Sequence, residues 1–494
     1  MELREAVNDA LRRLIASGRV KVQENGSWVA SLENFQYELR EKAGALLLHL
    51  WSPESTLVRR VVSIDSDASG GLALKVTRFG RTRPSLLEFL SCEREADRGQ
   101  VRREQFRARF REMLVQQFPD ETISPLTSAA DLEHSLSGNY VRGATFAGNH
   151  GTAIMAAAPG ETTATYDALL TFGLLWLDHV RSRKSRKPIG RLRLFFPEDT
   201  GRIISHRLKA VSPTTAMELY AYDAGTGRVR RVDPKDTGNL KTWLVPRREI
   251  EAVVSQARGA IEPICRLNPT AITAQPISGT SEVALRFRGL LFARWAQGTV
   301  FFGIGTEKPL SSSSRPELER LVRELDRYRS PVSGSPRHRL YRAQPERWLQ
   351  SLVVGETVRI DPRIDQRFIY TEVPVSSSAD RGVMDLLCIT REGRLAVIEL
   401  KAAEDVQLLM QAVDYWLRVR HHQEQEDFGR YGYFPGLDIS SQPPLLFLVA
   451  PSLQFHPAVD VLARFLIPDI EICRVGLNEG WRRGLRVVLR QALS

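Results

Sequence analysis

Three residues toward the C-terminal end of the chain have types and spacing that could do chemistry. Asp385 lies in the apolar run "GVMDLLCIT", residues 382–390, while Glu399 and Lys401 close the run "GRLAVIELK", residues 393–401. Both runs read as strands, joined by a turn at "REG". Side chains alternate across a strand, so Glu399 and Lys401 share a face and Leu400 turns to the other with Ile398. The turn brings the Asp385 strand alongside, and two carboxylates on adjacent strands can meet on one hard divalent cation, which prefers oxygen ligands. A lysine beside them can orient or deprotonate a water, because its compact ammonium loses its proton readily when desolvated. An arginine stays charged. Lys401 is the only lysine after Lys308.

These residues need elements to position them. "QPERWLQSLVV" predicts a helix opened by Pro345 and carrying Glu346, followed by the strand "RFIYTEVPV" and the two strands above. A long helix is expected from about Glu404 to His422. On it Gln407, Gln411 and Tyr415 recur every four residues, with Arg418 and His422 near the same line. Val406, Leu409, Met410, Val413 and Leu417 oppose that polar stripe and should face the sheet. "PPLLFLVA" reads as a buried strand and "HPAVDVLARFL" as a helix, and two strands finish the chain. Helix, three strands, helix and strand make a mixed α/β layer arrangement. His421 and His422 read as surface residues, and Glu372 as a strand residue flanking the site.

In this order the residues resemble the PD-(D/E)xK nuclease superfamily. Asp385 stands at its first acid, and Glu399, Leu400 and Lys401 at its E-x-K. Gly382 to Asp385 resembles the G-x-x-D element of the RecB-type branch, and Gln411 to Tyr415 its Q-x-x-x-Y helix motif. Met384 stands where the motif has proline. The resemblance covers roughly residues 340–450. It implies a restriction-endonuclease-like αβββαβ core, in which Asp385 and Glu399 bind Mg²⁺ (Mn²⁺ as a substitute) and Lys401 assists the water. Glu346 sits where many members carry a first-helix glutamate that completes the metal set, and Gln411 and Tyr415 would support the scissile strand. The expected activity is hydrolysis of phosphodiester bonds in DNA. Alternatives are a catalytically silent nucleic-acid-binding subunit of a larger repair or defence assembly, and an RNA nuclease, since nothing in the sequence reports on the 2′-hydroxyl.

At 494 residues the chain exceeds one hydrophobic core. The expected fold class is α/β, with the C-terminal core preceded by an α+β region of one or more domains. The expected boundaries are an α+β domain over 1–125 with a strand hairpin and a basic helix, an α+β middle region over 126–308, a linker with a short helix over 309–337, and the nuclease-like domain over 338–494. Upstream of the linker no repeat is evident. The net charge of +11 favours an anionic partner, nucleic acid first and DNA before RNA. No apolar run is long enough to span a membrane. Cys92, Cys265, Cys388 and Cys473 lie far apart, which argues for a reducing compartment and a cytoplasmic protein. The arginine-rich helix at 95–117 and "RSRKSRK" at 181–187 could each grip phosphates, with a solvated helix surface as the plain alternative. Asp233-Pro-Lys235 falls in a turn, and "GIG" at 303–305 has no phosphate-loop context. Without a Walker A sequence, any helicase motor would be a separate protein partner.

Overall fold

The computed structural model describes residues 2–493 apart from 17–19, 25–26, 32–35, 43–44, 52–55, 69–70, 78–83, 132, 184–186, 234–243, 278–279 and 375–382. It is mixed α/β and divides into two compact units, each drawn from two stretches of chain. These units do not follow the sequential boundaries expected at residues 125 and 308.

The first unit gathers Met1–Gln100 and Ala252–Trp348. The first stretch folds as a seven-stranded antiparallel sheet between Val20 and Ser91. Helix Glu2–Ala16 packs on it through Val7, Ala10, Leu11 and Leu14, a helical stripe set against Val22, Leu48 and Leu74. The second stretch is a five-stranded antiparallel meander from Ile272 to Pro309. Helix Arg315–Tyr328 lies within the expected linker, and its Leu318, Val322 and Leu325 belong to the core of this unit. Arg329 follows, fully buried, with its guanidinium donating to the carbonyls of Phe287, Arg288, Leu340 and Ala343.

The second unit gathers Val101–Glu251 and Leu349–Ser494 and holds two six-stranded sheets. The first sheet comprises β1 (Thr122–Ile123), β2 (Tyr140–Ala147), β3 (His150–Ala157), β4 (Ile189–Pro197), β5 (Ala216–Tyr222) and β6 (Val229–Val232). Helix α1 (Cys92–Gln117) precedes it, α2 (Leu169–Ser182) joins β3 to β4, and α3 (Arg202–Arg207) joins β4 to β5. The second sheet comprises β7 (Ile364–Pro374), β8 (Val383–Thr390), β9 (Leu395–Leu400), β10 (Leu445–Pro451), β11 (Ile472–Leu477) and β12 (Val487–Leu493). Helix α4 (Pro345–Gly355) precedes it, α5 (Leu408–Glu424) joins β9 to β10, and α6 (Ala458–Ala463) joins β10 to β11.

The two sheets follow one plan. Along each, neighbouring strands pair antiparallel, antiparallel, parallel, parallel and antiparallel, in sequence order from edge to edge. Parallel neighbours require crossovers, and helices supply them at the same two places. The middle region, expected as α+β with no repeat, therefore contains a second αβββαβ arrangement. Helix α2 packs on α6 and α5 packs on α3. Because α2 corresponds to α5 and α3 to α6, these two contacts exchange under the same correspondence, as across a two-fold axis. One apolar core, with Leu174, Leu177 and Leu194 from one half and Met410, Val413 and Leu448 from the other, runs between the sheets.

The basic helix α1 buries its apolar stripe of Phe106, Phe110 and Met113 against Ile154, Phe195 and Tyr220 on the opposite face of the first sheet. Arg103 bonds Glu161, while Arg107 and Arg111 stay exposed.

Candidate active site

The hairpin that carries the site is set by its turn. Gly393 has φ +84°, and a side chain there would collide with the Asp438 carbonyl, so the turn needs glycine. From it β8 and β9 run antiparallel, with Leu386 opposite Ile398. One step further, the same register sets Asp385 opposite Glu399. The Asp385 carboxylate accepts the Leu400 N–H at 2.9 Å, and Gln350 of α4 donates to the Asp385 carbonyl at 2.9 Å. Glu399 is only 4% exposed, on the face that carries Leu395 and Val397 into the core beneath α5. Lys401 continues the ladder to β10, its N–H donating to the Val449 carbonyl at 3.0 Å. Its ammonium lies 3.3 Å from Asp405, a half-buried pair. Sequence reading missed Asp405, although a carboxylate four residues after the lysine was the available signal.

Helix α5 begins at Leu408, later than expected; Asp405 heads the turn that leads into it, accepting the N–H of Gln407. Leu409, Met410, Val413 and Leu417 enter the core as the periodicity required. The polar stripe behaves differently along its length. Tyr415 is half-buried, and burial, reinforced by the negative charges of Glu399 and Asp385, holds its phenol well above the ordinary range. It therefore stays a neutral O–H donor beside the two carboxylates. Gln411 is half-buried one turn earlier on that face. Gln407 instead accepts from the Thr171 hydroxyl of α2 at 2.7 Å, a link between the two halves. Arg418 is buried. His422, expected at the surface, is also buried, with Nδ1 2.7 Å from Asp427, while His421 is exposed as expected.

Glu346 lies on α4 but falls in the first unit, whereas Asp385, Glu399, Lys401, Gln411 and Tyr415 fall in the second. Gly382 lies outside the described residues, as do Lys184, Ser185 and Arg186 of the basic run and Pro234 and Lys235 of the discarded turn.

The second copy of the plan allows an internal comparison. Pro197 ends β4 and Pro451 ends β10. Counting back equally from each reaches Leu194 and Leu448, which pair with Met155 and Glu399. Met155 lies opposite Arg142, the relation that the register gives Glu399 and Asp385 when continued one step past Leu386 and Ile398. Ala157, two residues on, takes the place of Lys401. The same strand order thus folds with Arg142, Met155 and Ala157 at the three positions, and Met155 is buried at 1% exposure. Folding alone does not demand acids there.

Two carboxylates at paired positions on one sheet face, with an ammonium beyond them, offer oxygen atoms of the kind that hard divalent cations take as ligands. Their joint field, felt by Tyr415, is what such an ion would neutralise.

Buried ionic contacts outside this set tie it to the other half. Arg207 of α3 forks onto Asp414 of α5 at 2.6–3.0 Å. Neighbouring His206 is held down to about pKa 4, chiefly by burial, with Arg418 and Lys209 adding to the effect against the opposing charge of Asp414.

No family model matches the chain, and no curated protein matches it.

Proposed function

We propose that this chain is a Mg²⁺-dependent nuclease that hydrolyses phosphodiester bonds in DNA, and that residues 349–494 form a restriction-endonuclease-like core. The observation that carries this reading is the contrast inside the chain. One copy of the strand plan has arginine, methionine and alanine where the other has Asp385, Glu399 and Lys401. A buried glutamate in place of a methionine costs stability, so its presence is best explained by work it does.

Asp385 and Glu399 would hold Mg²⁺, which when bound supplies charge neutralisation at the phosphate and acidifies a water. The bond from the Leu400 N–H fixes the Asp385 carboxylate toward the strand end. Asp405 steadies the Lys401 ammonium, which donates to and orients the attacking water; only after giving up its own proton could the amine take one from that water. Tyr415, kept protonated by burial and by the two carboxylates, would be a neutral O–H donor for the substrate. Gln411 supports the scissile strand from the preceding turn. The net charge of +11 suits a polyanionic substrate.

The test is cleavage of end-labelled DNA by the full chain with Mg²⁺ and with EDTA, beside matched RNA. Asp385→Asn and Lys401→Ala should each lower the rate by about 100-fold or more with the fold intact by circular dichroism. Lys401→Arg should not restore it. Unchanged cleavage in these variants would overturn the assignment. Metal-independent DNA binding without cleavage would favour a binding subunit.

A further inference from the structure

The copy without the acids carries a different cluster. Asp131 and His134 lie on the segment before β2, and His179 lies on α2. The segment is pinned in place: Asp131 and Leu136 exchange backbone hydrogen bonds, and Thr127 and Arg142 do the same. One ligand atom from each of Asp131, His134 and His179 lies within 4.8 Å of the other two. His134 Nδ1 is 2.9 Å from the Asp131 carboxylate, and the two imidazole rings meet at 4.1 Å between centroids.

His179 makes the cluster more than a chance grouping. Its side chain stacks on Trp176 and the residue is only 7% exposed. Both ring nitrogens are buried with no hydrogen-bond partner among the described residues. Burying an imidazole with neither nitrogen satisfied is costly, because each desolvated nitrogen loses its water partner without gaining another.

We propose that Asp131, His134 and His179 bind a first-row divalent transition ion, Zn²⁺ by preference, at a site separate from the carboxylate pair. Two imidazoles and one carboxylate suit Zn²⁺, Co²⁺ or Fe²⁺, whereas Mg²⁺ takes oxygen ligands. The ion ties the segment before β2 to α2. Three protein ligands leave a position open toward a cleft of about 810 Å³, whose lining includes Arg142, Arg183 and Trp176. The two guanidiniums beside that position favour an anionic fourth ligand over a neutral one.

The experiment uses the full chain carrying Asp385→Asn and Glu399→Gln, so that the other carboxylates do not take up metal. Dialysis against Zn²⁺ followed by elemental analysis should return one equivalent, and Co²⁺ should give visible d–d bands of a nitrogen-ligated, low-coordinate ion. His179→Ala should abolish both. Because His179 is buried, the half-exposed His134→Ala and Asp131→Asn serve as folded controls and should weaken Co²⁺ binding by about 100-fold or more. Absence of stoichiometric uptake in the parent chain, or unchanged uptake in His134→Ala and Asp131→Asn, would overturn the site whether or not the chain cleaves DNA.

Discussion

Arg207 and Asp414, more than 200 residues apart in sequence, form a buried fork in which Nε and Nη2 of the guanidinium donate to both carboxylate oxygens. The pair joins α3 of one sheet plan to α5 of the other. Removing one partner strands a buried charge, so Asp414→Ala should lower stability by about 3–5 kcal/mol in urea unfolding. The double variant Arg207→Met, Asp414→Leu should regain most of that loss, because an apolar pair of similar volume removes both charges.

Glu399 and Met155 occupy matching positions and give opposite expectations. Glu399→Met should leave stability unchanged or raise it by about 1 kcal/mol or more while ending cleavage, as expected of a group kept for function. Met155→Glu should destabilise by about 1 kcal/mol or more, since it buries a carboxylate beside Ala153 and Leu174 whose cost the cross-strand Arg142 offsets only in part. Thermal unfolding of both variants with parallel cleavage assays reads the contrast.

His206 gives a pH dependence with a definite sign. Its pKa in the folded chain is about 4, below the ordinary 6.5, and its Nε2 has no partner among the described residues. Between those values the unfolded chain binds the extra proton, so acid favours unfolding. The contribution is complete above about pH 6.5 and disappears as pH falls toward 4, in total about 3 kcal/mol. His206→Gln should flatten the stability profile over that window relative to the parent, as read by denaturant midpoints at pH 7.5, 5.5 and 4.5.

If the nuclease reading holds, the described residues supply one such acid pair for two copies of the sheet plan. A supercoiled plasmid should then pass to the open circle before any linear product, at rates first order in protein. Direct conversion to linear DNA would require two chains acting together.

The C-terminal order of elements was legible because its strands are short apolar runs bounded by glycine and proline, and because Lys401 stands alone among arginines. The strand register continued from Leu386 and Ile398 sets Asp385 against Glu399, and both charges act on Tyr415. Other features were hidden for physical reasons. The repeated plan leaves no trace in side-chain identity, since a buried strand asks only for apolar residues of fitting size, as "HGTAIMAA" and "LAVIEL" both provide. The polar stripe of α5 read as one surface, yet Gln407 and His422 have partners far along the chain or in a following turn. Helix Arg315–Tyr328 looked like part of a linker because serines and prolines flank it, although its three core leucine and valine residues already had helical spacing.

Asp414 and Tyr415 are consecutive residues. The first is clamped by a guanidinium from the opposite half, and the second is held protonated by burial and by the charges of the paired acids. A single peptide unit therefore separates the joint between the halves from the reacting space, so a small rotation of α5 at that joint would be felt at once by the carboxylates.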